Sequence, residues 1–257
     1  MNEVIKNPFE RMQKSAVVIL CILFCPFVCV VNAQTETKVI WDYPIKPGMK
    51  EWHQLKTLEE MYQAYQIPDS VLKQLDTESL VDICLNYPAP PLFLFFDTPQ
   101  QGFSGYYSRF NGIQELFDRK EAGKYLLKRY AMMSFSEFNP LWQLHEQGRF
   151  AVYYTYIESI LAQPQVVASL DAQGRKQLLQ EAIRKIDEKL SKIDLFGGHG
   201  IEINLWVIGR LLYSENKLTS QDYNLQNIQT AIATGKFTDI DVDLLYQQAK
   251  EYAYENE

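Results

Sequence analysis

The clearest structural pattern in the chain lies at residues 171–194, which read DAQGRKQLLQEAIRKIDEKLSKID. The apolar residues of this stretch recur at intervals of three and four, so they share one face of an α-helix. They are Leu178, Leu179, Ala182, Ile183, Ile186, Leu190 and Ile193. Oppositely charged residues four apart follow the other face, as Glu181 with Lys185, Arg184 with Glu188, and Glu188 with Lys192. We therefore expect a helix over 173–193 with one side buried.

The remainder of the chain after Gln34 shows the same helical spacing. Thr57 with Glu60, and Thr98 with Gln101, have the spacing of capping boxes at helix starts. Further starts are expected at Pro68, Thr77, Ser220 and Asp239, and breaks at Gly112, Gly148, Gly197 with Gly198, and Gly235. The predicted helices are 57–66, 68–75, 77–86, 99–110, 112–119, 121–133, 149–162, 173–193, 201–214, 220–234 and 239–254. The sequence thus predicts an all-α fold, an array of about ten short helices.

Such an array could also be solenoid-like, with helices stacked in pairs as in HEAT or armadillo repeats. No two segments align at a fixed period, so this stays a variant of the all-α prediction. The prolines of 39–52 favour an extended lead-in over 34–56, and those of 87–97 favour a short buried connector. A single helical domain is expected over 57–257, with a sub-boundary near 134–148 as an alternative.

Residues 1–33 have the organisation of a secretory signal peptide. A basic leader with Lys6, Arg11 and Lys14 precedes the uncharged apolar run 15–31, and small residues suit cleavage after Ala33. The protein is then exported, to be periplasmic, associated with the outer membrane or secreted, without a stable membrane span. An uncleaved membrane anchor is the alternative, because the apolar run nearly reaches the length of a transmembrane helix. A lipoprotein signal is the third interpretation of this segment.

Charge and cysteine content narrow the partners and the redox chemistry. The chain has a formal net charge of -7 at pH 7, which argues against nucleic acid or an anionic membrane as the main partner. Loss of three basic and two acidic residues with the leader makes this charge one unit more negative. Cys84 is the one cysteine after residue 33, so no intramolecular disulfide can form there. Its apolar neighbours predict a small buried residue rather than a nucleophile.

Four segments carry a resemblance to known sequences: KPGMKEW at 46–52, QIPDSVL at 66–72, TESLVDICLNYP at 77–88 and FNGIQEL at 110–116. They resemble an uncharacterised family of exported all-helical proteins from gut anaerobes. The resemblance is strongest up to Met133 and weaker after Asn139. It implies an exported helical protein with no known activity, and it supplies no catalytic residue.

The most suggestive local motif is Gly197-Gly198-His199-Gly200, which precedes the helix expected at 201–214 and its first-turn residue Glu202. Successive backbone N–H groups at a helix start can hold an anion, and an adjacent imidazole can exchange a proton. These five residues are therefore a candidate anion-binding or ligand-binding site. The alternative is that the glycines only end the preceding helix.

Two partial metal motifs are incomplete. His145 and Glu146 begin like a zincin helix, but Arg149 stands where the second histidine is required. Asp239, Asp241 and Asp243 occupy alternate positions, as the first ligands of a calcium loop do, but the other ligands of such a loop are missing. Capping of a helix N-terminus explains these aspartates instead. Neither a metal nor a cofactor is expected.

Aromatic residues are abundant, with 16 Tyr, 14 Phe and 4 Trp. Tyr106, Tyr107, Tyr153 and Tyr154 are candidates for an interaction surface, because exposed tyrosines dominate interfaces and stack on sugar rings; core packing is the alternative. The leading hypothesis is an exported, non-enzymatic interaction or binding protein of the cell envelope, with a protein or glycan partner. The alternative is an envelope-polymer hydrolase or lyase that uses His199 with a carboxylate such as Glu202.

Overall fold

In the computed structural model, which describes residues 39–88, 96–219 and 221–255, the chain is helical, with no strand in those ranges. The all-α prediction is confirmed. The predicted signal peptide, residues 89–95 of the predicted connector, and Ser220 lie outside the described residues. The α-helices are α1 (Leu58–Ala64), α2 (Asp69–Leu72), α3 (Thr77–Leu85), α4 (Pro99–Tyr107), α5 (Asn111–Asp118), α6 (Ala122–Met132), α7 (Leu144–Leu161), α8 (Pro164–Ser169), α9 (Ala172–Leu190), α10 (Ile193–Ser214), α11 (Leu225–Thr234) and α12 (Val242–Tyr254). Short 3-10 helices lie at Trp52–Gln54 and Phe135–Glu137.

Helix α10 occupies the centre of the packing. It contacts α7, α8, α9, α11 and α12, while α3 packs on α5, α6 and α7. Helix α4 contacts both α7 and the distant α11. This differs from a linear stack of helix pairs, in which each unit contacts only its neighbours.

Helix α9 confirms the most strongly patterned prediction and departs from it near its end. The Asp171 carboxylate caps the helix by accepting a hydrogen bond from the Gly174 N–H at 2.7 Å. The apolar residues from Leu178 to Ile186 are buried, but Leu190 is 51% exposed. Lys185, expected on the solvent face, is 0% exposed, and so is Lys189. The buried face therefore includes two charged residues.

Lys189 belongs to a buried polar network that joins four helices. Its ammonium lies 2.5 Å from a carboxylate oxygen of Glu158 on α7, and both side chains are fully buried. The Tyr130 hydroxyl of α6 donates to Glu158 at 2.8 Å, and the Asn204 amide of α10 donates to it at 2.9 Å. Lys189 also donates to the Gly200 carbonyl of α10 at 2.9 Å. These partners offset the cost of removing both charges from water.

Lys185 is held beside this network. Its ammonium donates to the Met133 carbonyl at 3.1 Å, lies 3.5 Å from the Glu181 carboxylate and sits over the Tyr130 ring. Burial lowers the pKa of Lys185 to about 8. The predicted pairing with Glu181 is thus observed, but on the buried side. On the exposed side Arg184 contacts Glu181 and Glu188, while Lys192 lies over the Phe138 ring.

Several helix boundaries differ from the predictions. Helix α7 begins before the expected position 149, because the Gln143 N–H donates to Glu146 at a start that the sequence analysis missed. Gly148 lies inside this helix with open space around it, so it does not break the helix. Helix α8 was not predicted. Gly112 lies inside α5, whereas Gly235 ends α11 in the left-handed conformation, as expected.

The two C-terminal helices begin later than predicted, since other residues cap them. Asn224 caps α11, and Asp241 caps α12 through the Leu244 N–H. Asp239 instead adopts a left-handed φ of 64° in the preceding turn. The capping role predicted for these aspartates is thus observed for Asp241 but not for Asp239.

The N-terminal lead-in is fixed to the helices by side-chain hydrogen bonds. The Tyr43 hydroxyl donates to the Ile83 carbonyl at 2.9 Å, and the Trp52 indole donates to the Tyr65 hydroxyl at 2.8 Å. Cys84 of α3 is 0% exposed, as predicted, and burial raises the pKa of its thiol. Among the described residues, no helix combines the length and apolar character needed to cross a bilayer.

The buried ion pair predicts a strong dependence of each partner on the other. Lys189→Met leaves the Glu158 carboxylate buried without its cation, so we expect the free energy of unfolding to fall by about 3–5 kcal/mol. Adding Glu158→Gln removes the unpaired charge and should restore most of that loss. Urea denaturation of both variants measures the coupling. A double variant no more stable than the single one would contradict this account.

The environment of Lys185 predicts a pH dependence. Its pKa is lower in the folded state, about 8, than in the unfolded chain, about 10.4. The unfolded state therefore binds more protons between these values, and stability from this group rises with pH there. Lys185→Met lacks this titration, so its stability relative to that of the wild type should fall by about 2 kcal/mol between pH 7 and pH 10. Urea denaturation at both pH values measures this, and a pH-independent difference would refute it.

Candidate functional site

A groove lies between the N-terminal lead-in and helices α3 and α7. Its volume is about 1010 Å³, at the upper end of the range for small-molecule sites, about 300–1,000 Å³. Its walls are formed by Val39–Tyr43 with Lys46 and Pro47; by Ser79, Asp82, Ile83 and Leu85–Pro88; and by His145, Gly148, Arg149, Val152, Tyr153 and Tyr156.

Helical periodicity explains which residues of α3 and α7 face the groove. Asp76 caps α3 through the Ser79 N–H at 2.6 Å, which sets the register of this helix. Positions 79, 82, 83 and 86 then follow at intervals of three and four on one face. Positions 145, 149, 152 and 156 follow the same rule on α7.

The aromatic residues of the groove divide into a fixed base and accessible rings. Tyr43, Tyr87 and Tyr156 are buried, and the Tyr156 hydroxyl donates to the Cys84 carbonyl at 2.7 Å. Trp41 and Tyr153 are half-buried, so part of each ring faces solvent. Trp41 packs edge-on against Tyr43 with ring centroids 4.8 Å apart. The groove therefore presents one accessible ring from the lead-in and one from α7.

Charged groups at the groove are mostly held in ion pairs. Lys46 lies 2.5 Å from the Asp42 carboxylate and holds the pKa of that carboxyl below its ordinary value. Asp82 pairs with Arg129 of α6. Arg149 is exposed on the α7 wall.

Two buried hydroxyl groups of groove residues find no hydrogen-bond partner within the described parts of the chain. They are the Ser79 Oγ and the Tyr87 Oη. Ser79 is 8% exposed and shares the groove-facing side of α3 with Asp82. Burial raises the pKa of Tyr87, which keeps its hydroxyl protonated.

The glycine-histidine motif lies inside α10 rather than in a loop before it, so this prediction is corrected. Helix α10 begins at Ile193, and only Gly197 departs from helical geometry, with φ 61° and ψ 179°. Gly198, His199 and Gly200 continue the helix. The motif forms a kink between two helical segments.

The structure brings His199 and Glu202 together, with 3.9 Å between Nδ1 and a carboxylate oxygen. They line a small cavity of about 120 Å³ with Asp97, Lys236 and apolar neighbours. The contact with His199 lowers the pKa of Glu202, and a hydrogen bond from the Phe237 N–H at 3.0 Å acts in the same direction. Glu202 thus also fixes the turn that precedes α12.

The four candidate surface tyrosines occupy different environments. Tyr106 is 7% exposed and Tyr154 is 1% exposed, because they pack among other rings, so they cannot form a surface. Tyr107 is half-buried against Phe117. Tyr153 alone of the four lines the groove.

Sequence reasoning missed most of the groove. His145 and Arg149 were examined only as an incomplete zinc motif, although their four-residue spacing places them on one helix face. Trp41, Ser79 and Asn86 carry no motif of their own. Within the described ranges, no group of three or more His, Cys, Asp or Glu residues could hold a metal ion. Comparison with protein-family models, curated proteins and solved structures gives no match.

The kink at Gly197 predicts different effects for two adjacent glycines. Neither has a neighbouring atom within 4 Å of an added Cβ. Gly197 has backbone angles that only glycine adopts readily, so Gly197→Ala should lower the free energy of unfolding by about 1–3 kcal/mol. Gly198→Ala is the matched control and should be neutral or stabilising by up to about 1 kcal/mol. Equal effects of the two substitutions in urea denaturation would contradict the assignment of strain to position 197.

Proposed function

We propose that this chain is an exported, non-enzymatic binding protein of the cell envelope, which holds a protein or glycan partner in the groove between the lead-in, α3 and α7. The observation that carries the proposal is the groove, whose volume is about 1010 Å³ and whose walls combine aromatic and polar side chains. Ligand sites are typically concave, with apolar walls and a few polar groups that orient the ligand.

The pairing of the groove's charges favours binding over catalysis. A general acid or base must exchange a proton with its substrate. Asp42 and Asp82 instead contact Lys46 and Arg129, and Lys46 holds the pKa of Asp42 below its ordinary value. They are suited to orient a ligand by hydrogen bonds.

Export rests on the leader-like organisation of residues 1–33. The acidic balance of the chain, with a formal charge of -7, favours a partner other than nucleic acid. The intact mass of protein from envelope and medium fractions tests export, because it shows whether residues 1–33 have been removed. A start at Gln34 supports export with cleavage, and a retained leader contradicts it.

The alternative, an envelope-polymer hydrolase or lyase, has one observation in its favour: His199 and Glu202 lie close together beside a cavity. This cavity measures about 120 Å³, below the range of about 300–1,000 Å³ for small-molecule sites. Glu202 also accepts a hydrogen bond from the Phe237 N–H, which gives it a structural role. The groove therefore supports a function better than this pair does.

Filling the groove tests the proposal. Val152 is a half-buried residue of the α7 wall, so Val152→Trp should block the groove and reduce affinity about tenfold or more, as loss of a central contact does. Val242→Trp, at an exposed valine that begins α12, is the matched control. Binding of the full chain to panels of oligosaccharides and unstructured peptides is measured by calorimetry. Equal binding by the two variants, or no binding by the wild type, would overturn the proposal.

A further inference from the structure

The accessible rings of the groove belong to different walls. Trp41 lies on the lead-in and Tyr153 on α7, and each ring is half-buried. A half-buried ring is held in place by the protein and still offers a flat apolar surface to a ligand. A ligand that uses both rings must have more than one apolar face along its length.

The charges of the groove favour a ligand without net charge. Its described lining contains the acidic residues Asp42 and Asp82 and the basic residues Lys46 and Arg149. The formal charges of these residues cancel, although the chain as a whole is acidic. A groove for an anionic or cationic ligand would show an excess of the opposite charge.

The buried hydroxyl of Ser79 is a hydrogen-bonding group that the described parts of the protein leave unused. Ser79 is more than nine-tenths buried and lies on the groove-facing side of α3. Its Oγ has no partner within the described parts of the chain. A buried polar group without a partner costs free energy, which a ligand hydroxyl that donates or accepts a hydrogen bond would recover.

The two helical walls of the groove disfavour an extended peptide. Peptides commonly bind by adding a strand to a sheet edge or by placing a helix in an apolar groove. The α3 and α7 walls are helices, whose backbone groups are already bonded, so a peptide cannot extend them as an added strand. Their lining combines aromatic residues with Asp82, Asn86 and Arg149. Recognition along these two walls therefore depends on side chains rather than on backbone groups.

We propose that the groove binds a neutral oligosaccharide, whose rings pack on Trp41 and Tyr153 and one of whose hydroxyl groups hydrogen-bonds to Ser79. This inference rests on the proposed function and names its ligand class. Saccharide rings carry apolar C–H faces and edges of hydroxyl groups, which matches the rings, the balanced charge and the buried Ser79 hydroxyl.

The test is calorimetric titration of the full chain with defined probes. These are neutral hexasaccharides of glucose, mannose, galactose and xylose, a hexamer of galacturonic acid, a hexamer of glucosamine, and an unstructured neutral peptide. We expect at least one neutral hexasaccharide to bind more tightly than both charged hexamers and the peptide. Trp41→Ala and Tyr153→Ala should each weaken that binding about tenfold or more.

Ser79→Ala provides a readout that a purely structural role would not give. Removal of a buried hydroxyl without a partner should leave the free protein equally or more stable in urea. The same change should weaken saccharide binding severalfold. Tyr213→Ala, at a tyrosine of α10 that is 51% exposed and outside the groove lining, is the control and should bind normally.

The outcomes separate this inference from the function on which it rests. Binding of the peptide or a charged hexamer that Val152→Trp abolishes, without binding of a neutral hexasaccharide, keeps the binding function and overturns the saccharide assignment. Binding of no probe by the wild type overturns both. Saccharide binding that survives Ser79→Ala and both aromatic substitutions overturns the proposed contacts.

Discussion

The ion pair between Lys189 and Glu158 is the constraint on which the arrangement of the central helices depends. Both side chains are fully buried, so water cannot solvate either charge and the protein must supply the partners. Their hydrogen bonds to Tyr130, Asn204 and the Gly200 carbonyl require α6, α7, α9 and α10 to meet in one register. Apolar packing alone tolerates small shifts along a helix, whereas this network does not. Specificity of packing, rather than added stability, is the expected benefit of such a network.

The same ion pair orients the groove. Helix α7 advances by about 100° per residue, so Glu158 lies on the side opposite to positions 149, 152 and 156. One face of α7 is therefore fixed by the buried network, and the other face forms a wall of the groove. The groove base is fixed in turn by the bonds from Tyr156 to the Cys84 carbonyl and from Tyr43 to the Ile83 carbonyl. A binding surface built on such supports is largely preformed.

The sequence predicted the helices far better than the site. The three- and four-residue spacing from Leu178 to Ile186 placed α9, and capping patterns placed α1 and α4. Burial of Lys185 and Lys189 was not predictable, because lysine is ordinarily a surface residue and the groups that surround them come from distant segments. These groups are Met133, Tyr130 and Glu158. The exposure of the tyrosines was equally hard to predict. Tyr153 and Tyr154 are adjacent in sequence, yet Tyr153 is half-buried and Tyr154 is buried. The groove is formed by the lead-in, α3 and α7, and no local sequence pattern predicts that these three segments lie together.

Cys84 gives these contacts an experimental use. Its thiol is inaccessible, and its raised pKa keeps it in the unreactive protonated form while α3 remains packed. Cys84 also contributes to the groove base, because its carbonyl accepts the hydrogen bond from the Tyr156 hydroxyl. A thiol reagent can reach this position only when α3 separates from its neighbours. The rate of alkylation at Cys84 therefore reports how often the groove base opens, and this measurement needs no introduced label.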